Sequence, residues 1–202
     1  MAAKSTFGNM VLVLSGICLV CSALLGTVYA VTKAPIEAAE VQKVNAAIAA
    51  VTPSFDNVPS EAVRDVEGGQ IYTATLSGEP VGYAIKVSVG GFGGPLQLMV
   101  GFTPDGTVYN TSVISQSETP GLGAKIVDEN CNPRSQVKGR NPATDKMAIG
   151  SSKDGAIDAI TASTITSKAF LKGVNAAYDV FKNNCQAAAE EPVNPEENEQ
   201  EQ

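Results

Sequence analysis

Between Thr161 and Ser167 the chain places five hydroxyl side chains in seven positions, Thr161, Ser163, Thr164, Thr166 and Ser167, and then runs straight into a helical pattern. Ser and Thr gather at helix starts because amide N–H groups lack partners there, and the helix dipole favours an anion at the same place. A phosphate suits such a position, so the cluster reads as an attachment site. A polar helix cap that holds no ligand is the competing reading of the same residues. A second stretch runs Ser117-Glu-Thr-Pro-Gly-Leu-Gly-Ala-Lys125, in which Pro120, Gly121 and Gly123 enforce a loop and Ser117, Glu118 and Thr119 offer donors and acceptors at its mouth. Such a loop can hold a flat ligand or be an ordinary structured turn.

Composition narrows the chemistry. The 202 residues are 44% hydrophobic and 17% charged, with no Trp and no His. Without His, Ser-His and Cys-His nucleophilic catalysis, histidine metal sites and an imidazole base are excluded, leaving carboxylate, hydroxyl, lysine, cysteine or cofactor chemistry. The formal charge is −7, but six glutamates lie between Glu190 and Glu201, leaving 15 acidic against 14 basic side chains up to residue 189. A nearly neutral folded part offers no basic surface for nucleic acid.

The elements that would present these residues follow from periodicity. Asn9 to Val31 carries no charge and as a helix would be about 34 Å long, enough to cross a bilayer. A retained anchor is the favoured reading. A cleaved signal peptide ending at Val28-Tyr29-Ala30, with Lys4 as its basic flank, is the rival. Lys4 before the run, against Lys33, Glu37 and Glu40 after it, leans toward an inside amino terminus. Cys18 and Cys21, at i and i+3 of that run, read mostly as small packing residues, with cluster ligation as the alternative. Pro35 to Val51 reads as a separate amphipathic helix with Ile36, Val41, Val44, Ile48 and Val51 on one stripe. Phe55 to Gly69 reads as an irregular connection. Four strands are predicted, Ile71–Leu76, Val81–Val89, Leu96–Thr103 and Thr107–Gln116, joined by hairpin links and by the glycine cluster Gly90 to Gly94, a hinge or close-approach loop. Ile165 to Phe181 continues as a helix with Phe170, Val174, Ala177 and Phe181 facing the sheet. The result is one α+β domain over residues 32–185, an antiparallel sheet with helices on one side, followed by an acidic tail over 186–202 that reads as disordered. Cys131 and Cys185 both fall in that domain, where a disulfide is permitted.

Asp158, Ile160, Thr161, Thr164, Thr166 and Ser167 match the Asp-x-Ile-[Ser/Thr]-Gly-[Ala/Ser]-Thr-x-[Ser/Thr]-Ser signature of proteins that carry FMN esterified to threonine. Glu118-Thr-Pro-Gly-Leu-Gly123 matches that family's second motif, in the right order and spacing. The chain therefore resembles the covalent FMN-binding family that includes the G subunits of Rnf-type ferredoxin:NAD oxidoreductase complexes and the C subunits of the sodium-pumping NADH:quinone reductase. The compact length favours the former, and the likeness extends from the anchor to about residue 185. The resemblance implies covalent FMN on Thr164, with Asp158, Thr161, Ser163, Ile165 and Thr166 around the attachment point. It implies that Ser117, Glu118, Thr119, Gly121, Leu122, Gly123 and Lys125 line the flavin pocket. It further implies an electron-carrying subunit of an ion-translocating oxidoreductase, partnered by other membrane and peripheral subunits and matured by a flavin transferase. The implied location is the inner membrane, with the domain on the periplasmic side. Two other classes stay open from the residues themselves, an anchored binding protein without a redox role and a stand-alone flavoprotein reductase. At Ala162 the chain departs from the family glycine, adding a methyl where backbone would approach a ligand.

Overall fold

The computed structural model describes residues 7–61 and 63–186. The predicted acidic tail therefore falls outside the described residues from position 187 onward. The chain divides into two compact units, with the boundary between Lys43 and Val44.

Helix α1 is one uninterrupted element, Phe7–Val51, with Pro35 inside it. The sequence predicts two helices here, because proline forfeits an N–H and crowds the carbonyl four residues earlier. Strong helix formers on the carboxyl side, Ile36-Glu-Ala-Ala-Glu40, carry the helix past it. The apolar run through Val31 is exposed along its length, and among the described residues this is the one helix long and apolar enough to cross a membrane. The predicted stripe is buried only in its second half: Ile36 and Val41 are exposed, Val44 is half-buried, and Ile48 and Val51 are buried.

The second unit is built on a five-stranded antiparallel sheet in sequence order, β1 (Arg64–Val66), β2 (Gly69–Leu76), β3 (Glu79–Gly90), β4 (Pro95–Phe102) and β5 (Val108–Ser115). The four predicted strands are present within two residues at each end. Strand β1 lies where an irregular connection is expected, its three residues being too short to show alternation. The β2–β3 link turns through positive φ at both Ser77 and Gly78, as a tight hairpin requires.

Period-two alternation splits the strands between two cores. On one face the paired residues Ile71, Ile85 and Val100 pack with Leu98 beneath helix α3 (Thr164–Phe181). All four predicted face residues of α3 are buried. A Cβ on Gly173 would stand 2.5 Å from Leu98 Cδ1, so the helix sits down on β4 at that glycine. Phe102 stacks on Phe181 at 5.2 Å, with Tyr83 edge-on to Phe181 at 5.5 Å.

On the other face Tyr72, Ala84 and Met99 pack against Ala47, Ile48 and Val51, the last turns of α1. The expectation of helices on one side only is thereby corrected. Ala84 and Gly101 lie in one cross-strand row and have so little bulk that the helix end reaches the sheet backbone. A short helix α2 (Asn132–Val137), three 3₁₀ segments and a π-helical turn, Lys182–Gln186, complete the described part of the unit.

Both cysteines of this unit are free, Cys131 half-buried and Cys185 buried among α3 residues. Burial pushes the Cys185 thiol up to about 11, and since the thiolate is the nucleophile this slows its chemistry. Alkylation of native Cys185 at pH 8 is expected to run roughly a hundredfold slower than in the denatured chain, because a thiol pushed up to about 11 holds that much less thiolate. Equal labelling rates in the two states, read by peptide mass spectrometry, would contradict this.

Candidate functional site

The hydroxyl cluster forms the entry to α3, and its own hydrogen bonds decide which hydroxyls remain available. Ser167 Oγ donates to Ser163 O at 2.9 Å and accepts from Ile160 N at 2.9 Å, while Ser163 N donates to Ile160 O and Ser167 N to Ser163 O. These bonds roll residues 160–163 into a tight turn. Thr166 is 1% exposed and donates to Glu118 Oε2 at 2.7 Å. Thr161 and Thr164 stay exposed. Ser163 is the N-cap residue but makes no side-chain capping bond, and the N–H groups of Thr164, Ile165 and Thr166 meet no acceptor among the described residues. The first turn of an 18-residue helix therefore presents three unmet donors beside the exposed hydroxyl of Thr164.

Asp158, the first residue of the motif, acts one step earlier. Its N–H donates to Gln136 Oε1 at 2.8 Å, and its carboxylate accepts from Gln136 Nε2 at 3.0 Å and from Ser152 N at 3.1 Å. The Gln136 hydrogen bond, followed by the Ser152 contacts, holds its carboxyl below the usual range. Asp158 thus ties α2 and the 151–154 turn to the segment leading into α3.

Ala162 turns through φ +62°. That left-handed conformation explains the glycine in the family signature, since a Cβ there costs roughly 1 kcal/mol. Ala162→Gly is expected to stabilise the fold by less than about 1 kcal/mol, because glycine also loosens the unfolded chain, and so to raise the melting temperature slightly. Ala162→Val should lower it. A destabilised Ala162→Gly protein in thermal denaturation would refute the strain.

The α3 entry and the second motif enclose a cleft of about 390 Å³, lined by Phe92, Glu118, Thr119, Leu122, Gly123 and the run from Ala162 to Thr166. That volume lies within the range of small-molecule sites. Phe92, Leu122 and Ile165 line it as large apolar side chains that are 65%, 42% and 58% exposed. Of the predicted site residues, Glu118, Thr119, Leu122, Gly123, Ser163, Thr164, Ile165 and Thr166 come together here. Ser117, Gly121, Lys125, Asp158 and Thr161 do not line the cleft. Gly121, expected to form a pocket wall, stands in open space, and its glycine answers instead to φ +76°.

Sequence reasoning missed Phe92 as a cleft residue, although the glycines on both sides of it were the available signal. It also missed Arg134, which is buried and donates to Thr111 Oγ1 at 3.3 Å and to the carbonyls of Thr111 and Val127. Glu129 lies 3.7 Å from it, and burial lowers the pKa of the guanidinium. Arg134 joins α2 and β5 to the end of the turn that follows the second motif.

The arrangement fits FMN on its own terms. Unmet amides and an exposed hydroxyl suit the phosphate end, and apolar side chains suit the ring. Residues 91–179 match the family model described as "FMN-binding domain". The G subunit of the Na(+)-translocating ferredoxin:NAD(+) oxidoreductase complex of Acetobacterium woodii is 33% identical, over 76% of this chain and 81% of its own length. The G subunit of the ion-translocating oxidoreductase complex of Aliivibrio fischeri is 30% identical, over 95% and 98%, and that of Shewanella baltica is 36% identical, over 63% and 61%. Among solved structures, the C subunit of the Na(+)-translocating NADH-quinone reductase from Parabacteroides distasonis is 25% identical with a TM-score of 0.46, covering 56% of this chain and 60% of that one. With a third of its residues shared over most of both chains, and an FMN-binding domain that spans both motifs, this chain belongs to the family of G subunits of ion-translocating oxidoreductase complexes.

Proposed function

We propose that the protein is an electron-carrying subunit of a membrane-bound ferredoxin:NAD oxidoreductase complex that couples electron transfer to cation translocation, with FMN joined to Thr164 through a phosphoester. The observation that carries this reading is the sorting of hydroxyls at the α3 entry. Thr166 and Ser167 are buried and bonded, Thr161 lies off the cleft, Ser163 lines it but is buried, and Thr164 is exposed on it at the first helical position.

When bound, the flavin supplies the one-electron chemistry. The chain's own residues bind and orient it. The amides of Thr164, Ile165 and Thr166 would hold the phosphate, and Phe92, Leu122 and Ile165 would cover the ring. Residues 1–8 lie on the cytoplasmic side, 9–31 are retained as the anchor, and 32–185 form the exported domain. Other members of the complex are the electron partners, and a flavin transferase makes the ester.

The intact mass of the chain purified from its native membrane tests the reading. The expected mass is that of the whole chain plus one FMN less one water. A bare chain mass would reject the ester, and a mass lacking the first thirty residues would reject the retained anchor. An impermeant amine reagent applied to spheroplasts should label lysines beyond Lys33, and protection of all of them would reverse the orientation.

A further inference from the structure

The second motif predicts that Glu118 reaches for the ligand, yet its carboxylate is committed to the protein. It is 6% exposed, and both of its oxygens accept bonds from separate parts of the chain. Oε1 accepts from Phe92 N at 2.7 Å and from Gly93 N at 3.4 Å, on the glycine loop between β3 and β4. Oε2 accepts from Thr166 Oγ1 at 2.7 Å, in the first turn of α3 and 48 residues away in sequence. Its own N–H is taken by Gln116 Oε1. The two ion pairs among the described residues lie elsewhere, so the carboxylate is held by these donors.

The surrounding glycines point the same way. A Cβ on Gly91 would stand 2.1 Å from Glu118 Oε1, and one on Gly123 would stand 2.7 Å from both Glu118 Oε2 and Thr166 Oγ1. A Cβ on Gly93 would stand 2.0 Å from Ser117 O. These three glycines therefore leave room for Ser117, Glu118 and Thr166.

We propose that Glu118 is a positioning residue, a buried clasp that locks the glycine loop bearing Phe92 to the first turn of α3 bearing Thr164. A carboxylate suits the task because it accepts at both ends and bonds to it are stronger than neutral ones. The clasp is a property of the chain itself; its consequence, that flavin ring and ester are held in fixed relation, rests on the FMN reading above.

Hydrogen–deuterium exchange on the full-length chain in detergent, made in a host without flavin transferase, tests the clasp. Thr166→Val removes one donor at the α3 end and is expected to speed exchange in the distant 90–94 segment severalfold. Glu118→Met fills the space without an acceptor and should speed exchange about tenfold both in 90–94 and at the bonded amides from Ser167 onward in the first turns of α3, whereas Glu118→Gln should keep both within about threefold of wild type. Unchanged exchange at 90–94 in Thr166→Val, or full protection in Glu118→Met, would overturn the proposal. Should Glu118→Met fail to fold, Thr166→Val and Glu118→Gln still decide it. Thr164→Ala should leave exchange at 90–94 as in wild type, so loss of the flavin reading would not be confused with loss of the clasp.

Discussion

Chains carrying Thr164→Ala are expected to leave their native membrane without covalent flavin, and the electron-transfer activity of the complex should fall to background. The effect is all-or-none because, of the hydroxyls that line the cleft, only Thr164 is both exposed and in the first turn of α3: Ser163 is buried, and Thr119 is exposed but lies on the opposite loop, away from the unmet amides. Thr166 lies within two residues but is buried and donates its proton to Glu118. Ser167 is closed into the turn with Ile160 and Ser163. Thr164→Ser keeps the nucleophilic oxygen at the first helical position and should still be flavinylated. Thr161→Ala should be flavinylated fully, since Thr161 is exposed but off the cleft. Flavin fluorescence in the denatured gel band gives the answer directly. A fluorescent band in Thr164→Ala, mapped by peptide mass spectrometry to Thr161 or Ser163, would move the ester and discard the assignment.

Gly101→Ala is expected to be the most damaging single methyl in the sheet. A Cβ at that position would stand 1.6 Å from Val51 O and 2.6 Å from Val51 C, with Val51 Cβ at 2.9 Å. The obstacle is helix backbone, which cannot rotate aside as a side chain would. Relief requires the last turn of α1 to lift from β4, opening the contacts of Ile48 and Val51 with Tyr72, Ala84 and Met99. Overpacking of this kind costs about 3 kcal/mol or more. In a unit of this size that lowers the melting temperature by roughly 6–12 °C. Gly90→Ala is the control, since a Cβ there meets nothing within 4 Å. If both variants melt within a degree or two of wild type by near-ultraviolet circular dichroism, the close approach of helix and sheet is not real.

Much of this fold is legible in the sequence because its signals are local. The short apolar runs Ile71-Tyr72 and Leu98-Met99-Val100, bounded by turn residues, mark strands, and Phe170, Val174, Ala177 and Phe181 mark the helix that covers them. What escapes is set by partners distant in sequence. Nothing near Arg134 announces that Thr111 and Val127 will satisfy a buried guanidinium, and nothing near Gln136 announces Asp158. The glycine cluster reads as conformational freedom until Glu118 is seen among its members. The site is legible at Thr164, which a motif singles out and which lies exposed on the cleft, and less so at its walls. There Ser117, Gly121 and Lys125 do not line the cleft, while Phe92 does, from a loop read as a hinge. Ala162 shows both cases. The missing glycine is visible in the sequence, but the φ of +62° that gives it meaning is not.

Because the final two turns of α1 belong to the sheet's second core, the segment that leads out of the anchor is also a structural part of the domain that follows. Ribosomes make that segment first, so Ile48 and Val51 emerge with no sheet to cover them and wait for Tyr72, Ala84 and Met99 to arrive from β2 to β4. A recombinant fragment begun at Thr52 would be missing one wall of its own interior and would expose an apolar sheet face to other copies. One begun upstream of Val44 would carry that wall with it. The place to cut for a well-behaved soluble protein is thus inside the helix rather than at its end.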